Sequence, residues 1–228
     1  MLQAEVLPEV QQEVPVQTHV RQRKKTYKQR RNPIDRIYSG LTGFGVSVDG
    51  LEEHATMYGE LDNTSIPVLY EIFSKYAPLS KIASPYRNFY EVGCGIGKIV
   101  VGFAHTNTLI NSIGLEIVPE RVKIAHTALE RIRDETIKNR IEILCISMLD
   151  PSVNYADACW IYVANLCFAP DVQAQLLTKL ENETKTGCIL VCSKEIASSQ
   201  FELCNRCTLP TSWSNESKAY VYRKKALT

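Results

Sequence analysis

No stretch of this 228-residue chain stays apolar for the ~18 residues that a bilayer-spanning helix needs, so no membrane segment is expected. The first twenty residues carry Glu5, Glu9 and Glu13 among their apolar positions, which breaks any signal-peptide core. An intracellular location is the expectation. The net charge is only +1, and that balance by itself selects no partner. No internal repeat is visible. Cysteine is present but poorly arranged for zinc. Cys204 and Cys207 form a C-x-x-C, yet a structural zinc site takes four ligands and no second pair has suitable spacing. No metal is expected. Most of the eight cysteines sit in apolar runs such as Ile143-Leu144-Cys145-Ile146, and they read as small buried hydrophobes in a reducing compartment.

What is present is an ordinary globular composition, 45% hydrophobic and 22% charged, with enough length for a core. The charge is unevenly spread. Arg21, Arg23, Lys24, Lys25, Lys28, Arg30 and Arg31 follow one another without an acid between them. Residues 1–35 show neither a helical nor a strand period and contain Pro8, Pro15 and Pro33. They are expected to form a disordered basic arm ahead of a globular domain over 36–228.

Within that domain the pattern alternates. Ile66, Leu69, Tyr70, Ile72 and Phe73 mark one face of a helix over 66–76, with Thr64 and Ser65 as N-cap candidates. Strands are expected over 88–92, 112–117, 141–146, 158–164 and 188–193. Helices are expected over 97–105, 119–137 and 171–180, the long one with Val122, Ala125, Leu129 and Ile132 on one face. Such β-α alternation implies a doubly wound, mostly parallel α/β sheet covered by helices on both faces. After residue 200 it stops, and 201–207 and 219–223 read as an antiparallel pair ending the sheet.

The chemistry concentrates after the first strand. Glu91-Val92-Gly93-Cys94-Gly95-Ile96-Gly97 is a glycine loop opening a helix, where free N–H groups gather. Its G-x-G-x-G spacing differs from the G-x-G-x-x-G of dinucleotide folds. Glu116 closes the second strand, where an acid accepts ribose hydroxyls. Two acids around a glycine loop, with no lysine-serine pair for phosphate, suit a ligand bearing an amino group and a ribose but no phosphate. A glycine loop serving only as a strand-to-helix turn is the plain alternative.

This loop together with Glu116 resembles the signature of class I methyltransferases that use S-adenosylmethionine. Further segments narrow the resemblance: Tyr58-Gly59-Glu60 with Thr64-Ser65, Asn165 to Pro170, Ser193-Lys194, and Ser212-Trp213 with Tyr220 seven residues on. In order and spacing, over about residues 55–225, they resemble the disruptor-of-telomeric-silencing family. Those are non-SET histone lysine methyltransferases acting on the globular core of histone H3. The resemblance implies a Rossmann-like fold and S-adenosylmethionine as cofactor. It assigns Tyr58, Glu60, Thr64, Glu91, Gly93, Gly95, Gly97, Glu116, Ser147, Met148 and Asn165 to cofactor binding. Asn165, Phe168 and Tyr220 would form the catalytic lysine channel, braced by Trp213. Asn165 also fits a loop cap, and Phe168, Trp213 and Tyr220 also fit ordinary packing.

The chain departs from the family in places. Ser147 and Met148 stand where the family has an acid and Phe at the adenine, with Asp150 a nearby substitute for the acid. Lys98 stands beside the expected methyl site, and Ala164 replaces the first of two paired asparagines. The implied partners are the nucleosome, through histone H3, and DNA phosphate, through the basic arm. The arm also fits a nuclear localisation signal, so the nucleus is the expected compartment. Two other readings stay open. One is methylation of a nucleic-acid amine or non-histone protein, since Asn165 to Phe168 resembles part of an amino-methyltransferase motif. The other is an inactive chromatin-binding module.

Overall fold

In the computed structural model, which describes residues 32–51 and 57–226, the apolar runs form one seven-stranded sheet. Its strands are β1 (Asn88–Val92), β2 (Asn111–Glu116), β3 (Ile141–Cys145), β4 (Ala158–Val163), β5 (Ile189–Cys192), β6 (Phe201–Leu209) and β7 (Ser217–Lys224). The order across the sheet is β3-β2-β1-β4-β5-β7-β6. β1 to β5 run parallel, and β7 lies antiparallel to both β5 and β6. Among the described residues the helices are α1 (Pro33–Ile37), α2 (Ser65–Tyr76), α3 (Lys98–Thr106), α4 (Pro119–Glu130), α5 (Glu135–Lys138) and α6 (Pro170–Glu183). None is long and apolar enough to cross a membrane.

Every residue of β1 and β4 is buried, as a parallel sheet covered on both faces requires. The two faces carry separate cores. One gathers Phe73, Phe89, Phe103 and Trp160, the other Tyr90, Tyr155, Ile161 and Leu180. Trp160 is fully buried, stacks on Phe73 at 5.3 Å between ring centroids, and donates its indole N–H to the Ala77 carbonyl at 3.0 Å. Trp160→Ala removes the largest buried side chain and leaves a cavity, with an expected cost of about 3–5 kcal/mol. Chemical denaturation measures that loss, and a cost under about 1 kcal/mol would show that the aromatic cluster closes over the gap.

Three features differ from the sequence expectation. The helix expected over 119–137 is broken between α4 and α5. The Asp134 side chain takes the Thr136 N–H at 2.9 Å and starts a new turn, a local competitor of helix continuation. The buried face is nonetheless as expected, with Val122, Ala125, Leu129 and Ile132 all in the core. The expected boundary at residue 36 falls inside α1, whose Ile34 and Ile37 are buried and whose first turn is capped by Asn32. The basic positions Arg21, Arg23, Lys24, Lys25, Lys28, Arg30 and Arg31 lie outside the described residues. Of the cysteines, Cys94, Cys159, Cys188 and Cys192 are buried, but Cys145 and Cys167 are exposed. Cys145 ends β3, an edge strand that packs little on one side. Among the described residues no group of three or more His, Cys, Asp or Glu could hold a metal.

Candidate functional site

The chain runs from β1 outward through β2 to β3, then returns to place β4 on the other side of β1. At such a reversal the loops leaving the strands diverge and open a crevice at the carboxyl edge. A cavity of about 610 Å³ occupies it, lined by Gly93 just after β1, by Glu116 at the end of β2, and by Ser147, Met148 and Phe168 from the segments after β3 and β4. A small recess of about 30 Å³ beside it is lined by Glu60, Glu91, Gly95 and Lys98.

The glycine loop is braced rather than loose. The N–H groups of Gly93 and Cys94 both reach the Leu115 carbonyl, at 2.8 and 2.9 Å. Gly95 has φ +56°, and a Cβ there would stand 2.5 Å from the Tyr58 ring. At Gly97 φ is +79°, and a Cβ would meet Ile143 at 2.5 Å. Neither position accepts another residue without displacement of its neighbour. Gly97 shapes the loop from behind and does not line the cavity.

Glu116 holds the loop from the β2 side. One carboxylate oxygen accepts the Gly95 N–H at 2.8 Å, and the other accepts Ile117 and Val118, both at 2.9 Å. A carboxylate offers about four acceptor sites, so most are occupied by backbone. Arg121 Nη1 stands 3.9 Å from Glu116, and its guanidinium lies 4.5 Å from the centre of the Tyr58 ring. Arg121 carries no motif of its own and was not singled out from sequence. Its place in the first turn of the helix after an acid-terminated strand is the signal that points to it.

Glu91 is fully inside. Burial pushes its pKa well above the usual carboxylate range, against the Val100 N–H that it accepts at 3.2 Å, and Glu116 and Glu60 push it further up. A cation bound beside it would favour the charged form again. Glu60 accepts the Tyr58 hydroxyl at 2.5 Å with one oxygen and pairs with Lys98 through the other. Lys98 therefore meets a carboxylate, and its charge is balanced at the recess.

The remaining expected residues divide. Tyr58, Ser147, Met148 and Phe168 line the main cavity. Thr64 precedes α2, but its hydroxyl goes to Asp62 at 2.6 Å, and it lines neither cavity nor recess. Asp150 caps Ser152 at 2.8 Å and stays outside the lining. Asn165 is buried, and its amide turns away to the backbone of Lys194, accepting the N–H at 2.8 Å and donating to the carbonyl at 3.5 Å. Tyr220 lies in an adjoining groove with Ser193 and Lys194, and that groove shares Leu166 and Trp213 with the cavity. Trp213 is half exposed and covers Gly59, where a Cβ would stand 2.2 Å from the indole.

Comparisons with known proteins agree with this architecture. A search of curated protein sequences gives no match. Among solved structures, the glycopeptide N-methyltransferase MtfA with S-adenosyl-L-homocysteine superposes with a TM-score of 0.54 at 10% identity, covering 72% of this chain and 90% of that one. The StiE O-methyltransferase segment 961–1257 gives 0.51 at 14% identity, over 71% and 75%. The rRNA methyltransferase aviRa from Streptomyces viridochromogenes gives 0.51 at 10%, over 76% and 90%. At these identities the likeness is one of fold. The family model described as "Histone methylation protein DOT1" matches residues 53–211, which is most of the chain and includes the glycine loop, Glu116 and Asn165. The chain thus belongs to the DOT1 histone methylation family, methyltransferases whose cofactor is S-adenosylmethionine.

Proposed function

We propose that this protein transfers a methyl group from S-adenosylmethionine to a lysine in the globular core of histone H3 on nucleosomes. The observation that carries the reading is the join between two concavities. The cofactor-sized cavity and the groove holding Tyr220 meet at Leu166 and Trp213, with Phe168 on the cavity side. An aromatic-walled passage of this kind suits an alkyl-ammonium side chain. The fit of the cofactor rests on this chain's own residues: the recess with Glu60 and Glu91 for its charged methionine end, Glu116 for the ribose, and Met148 beside the space for a flat ring.

When bound, the cofactor supplies an electrophilic methyl on a sulfonium. The residues here orient the acceptor and exclude water. A lysine amine must lose its proton to react, and its free pKa is near 10.4. An apolar passage walled by Leu166, Trp213 and Phe168 disfavours the charged form, so no dedicated base is required. Alignment supplies the rate.

Purified protein is to be incubated with radiolabelled S-adenosylmethionine and, separately, with intact nucleosomes, free core histones and naked DNA. Label on histone H3, strongest in nucleosomes, is the expected result. Label on DNA, or on no substrate despite measured cofactor binding, overturns the histone reading and leaves the fold intact.

The basic stretch of residues 21–31 is proposed to hold nucleosomal DNA through phosphate contacts and to address the protein to the nucleus. Deleting residues 1–32 is expected to lower nucleosome methylation and to flatten its decline with added salt, because each phosphate contact contributes to that slope. Unchanged activity and an unchanged salt profile would remove the stretch from docking.

A further inference from the structure

The groove beside the cavity carries two exposed lysines that the reaction does not use. Lys194 lies two residues beyond the last rung of the β5–β7 ladder, Cys192↔Tyr220, and Lys218 lies two residues before it on the other strand. Both line the groove that contains Tyr220. On β7, Lys218 and Tyr220 share a face because side chains alternate along a strand. Arg206, opposite Tyr220 on β6, presents its guanidinium to Glu195 at 2.7 Å, and that acid is thereby neutralised. No ion pair of Lys194 or Lys218 occurs among the described residues. Two uncompensated cations therefore flank the approach to Tyr220.

We infer that this groove recognises an acceptor polypeptide carrying carboxylates beside the methylated residue, with Lys194 and Lys218 as the two charge anchors. The inference rests on the proposed lysine methylation and specifies the chemistry of its substrate. A carboxylate is favoured over a phosphate backbone by how the charge is laid out. The cations are two separate points, Lys194 after β5 and Lys218 in β7, with exposed Glu216 two residues before Lys218. A polyanionic strand needs a continuous track and would meet the negative charge of Glu216. Acidic side chains at intervals on a peptide need only discrete partners. Trp213 and Leu166, both exposed, lie between the anchors and the cavity, where the aliphatic stem of the acceptor would pass.

The test uses the full-length protein, labelled with ¹⁵N and saturated with S-adenosylhomocysteine. It is titrated with acetyl-Asp-Asp-Lys-Asp-Asp-amide and, in a parallel sample, with the same peptide bearing Arg in place of Asp. The expected result is saturable shifts at the Lys194 amide and the Trp213 indole with the acidic peptide, at least tenfold tighter than with the basic one. That preference should be lost in the variant K194E/K218E. Equal affinity for the two peptides, or an acidic preference that survives charge reversal, overturns the inference. A third peptide, with norleucine replacing lysine between the aspartates, separates the two proposals. If it binds as tightly as the lysine peptide, the carboxylate anchors stand while lysine as the acceptor falls.

Discussion

Replacing Glu116 by alanine should lower the affinity for S-adenosylhomocysteine by about 100-fold, as read by calorimetry, and should also lower the melting temperature. Its carboxylate accepts three backbone N–H groups, from Gly95, Ile117 and Val118. Hydrogen bonds to a charged acceptor are each worth about 1.5–3 kcal/mol, and buried donors left without an acceptor are costly. The loop keeps its second brace, the Gly93 and Cys94 N–H groups on the Leu115 carbonyl, so it is loosened rather than lost. A net loss of about 2–3 kcal/mol corresponds to the hundredfold figure. The Arg121 guanidinium, 3.9 Å from Glu116, would lose the charge facing it inside the cavity, which adds to the destabilisation. Glu116→Gln keeps one oxygen for Ile117 and Val118, but turns an N–H₂ group toward the Gly95 N–H, so it should lie between wild type and alanine. An alanine variant that binds S-adenosylhomocysteine within about threefold of wild type would show that the loop organises itself without this clamp.

Asn165→Ala should reduce methyl transfer by about 100-fold while leaving cofactor affinity within about threefold. The reason lies in what the side chain holds. Its amide ties the loop after β4 to Lys194, beyond β5, through both the N–H and the carbonyl of that residue. These two loops carry Leu166 and Phe168 on one side and the groove wall at Ser193 and Lys194 on the other. Releasing them lets the acceptor passage widen, and a misplacement of about 1 Å is enough to cost roughly 10²-fold in rate. Asn165→Asp keeps an oxygen for the Lys194 N–H and should recover most of the activity. Two equally inactive variants with an unchanged Lys194 amide environment would assign the side chain to the acceptor amine itself. Full activity in the alanine variant would remove Asn165 from both roles.

The fold was legible wherever the information is local. Asn88–Val92 is bounded in the structure as the apolar run is bounded in sequence, because a short buried strand ends at the glycine that follows it. The reversal at Gly93 to Gly97 was legible for the same reason, since positive φ at each glycine is a local demand. What stayed hidden depends on partners distant in sequence. Lys98 reads as a misplaced cation until Glu60, 38 residues earlier, is seen to pair with it. Asn165 reads as a channel residue or a loop cap until Lys194, 29 residues later, is seen to take its amide. Thr64 lies next to the right motif but spends its hydroxyl on Asp62. The break before α5 was obscured because Ile132 continues the apolar stripe of α4 across it.

β7 enters the sheet between β5 and β6, and that placement orders events during synthesis. β6 is made first, but among the described residues its only ladder partner is β7. Until residues 217–224 have emerged, β6 has no strand to join and β5 presents an unpaired edge. The strands that frame the cofactor crevice, β1 to β4, are already complete by then and can pair among themselves. A chain lacking residues 217–224 would therefore have a closed cofactor half and an open acceptor half, whose bare β5 edge invites pairing with other chains. Truncation before residue 217 would fix the chain in that state, so such a chain should aggregate more readily than the full-length protein.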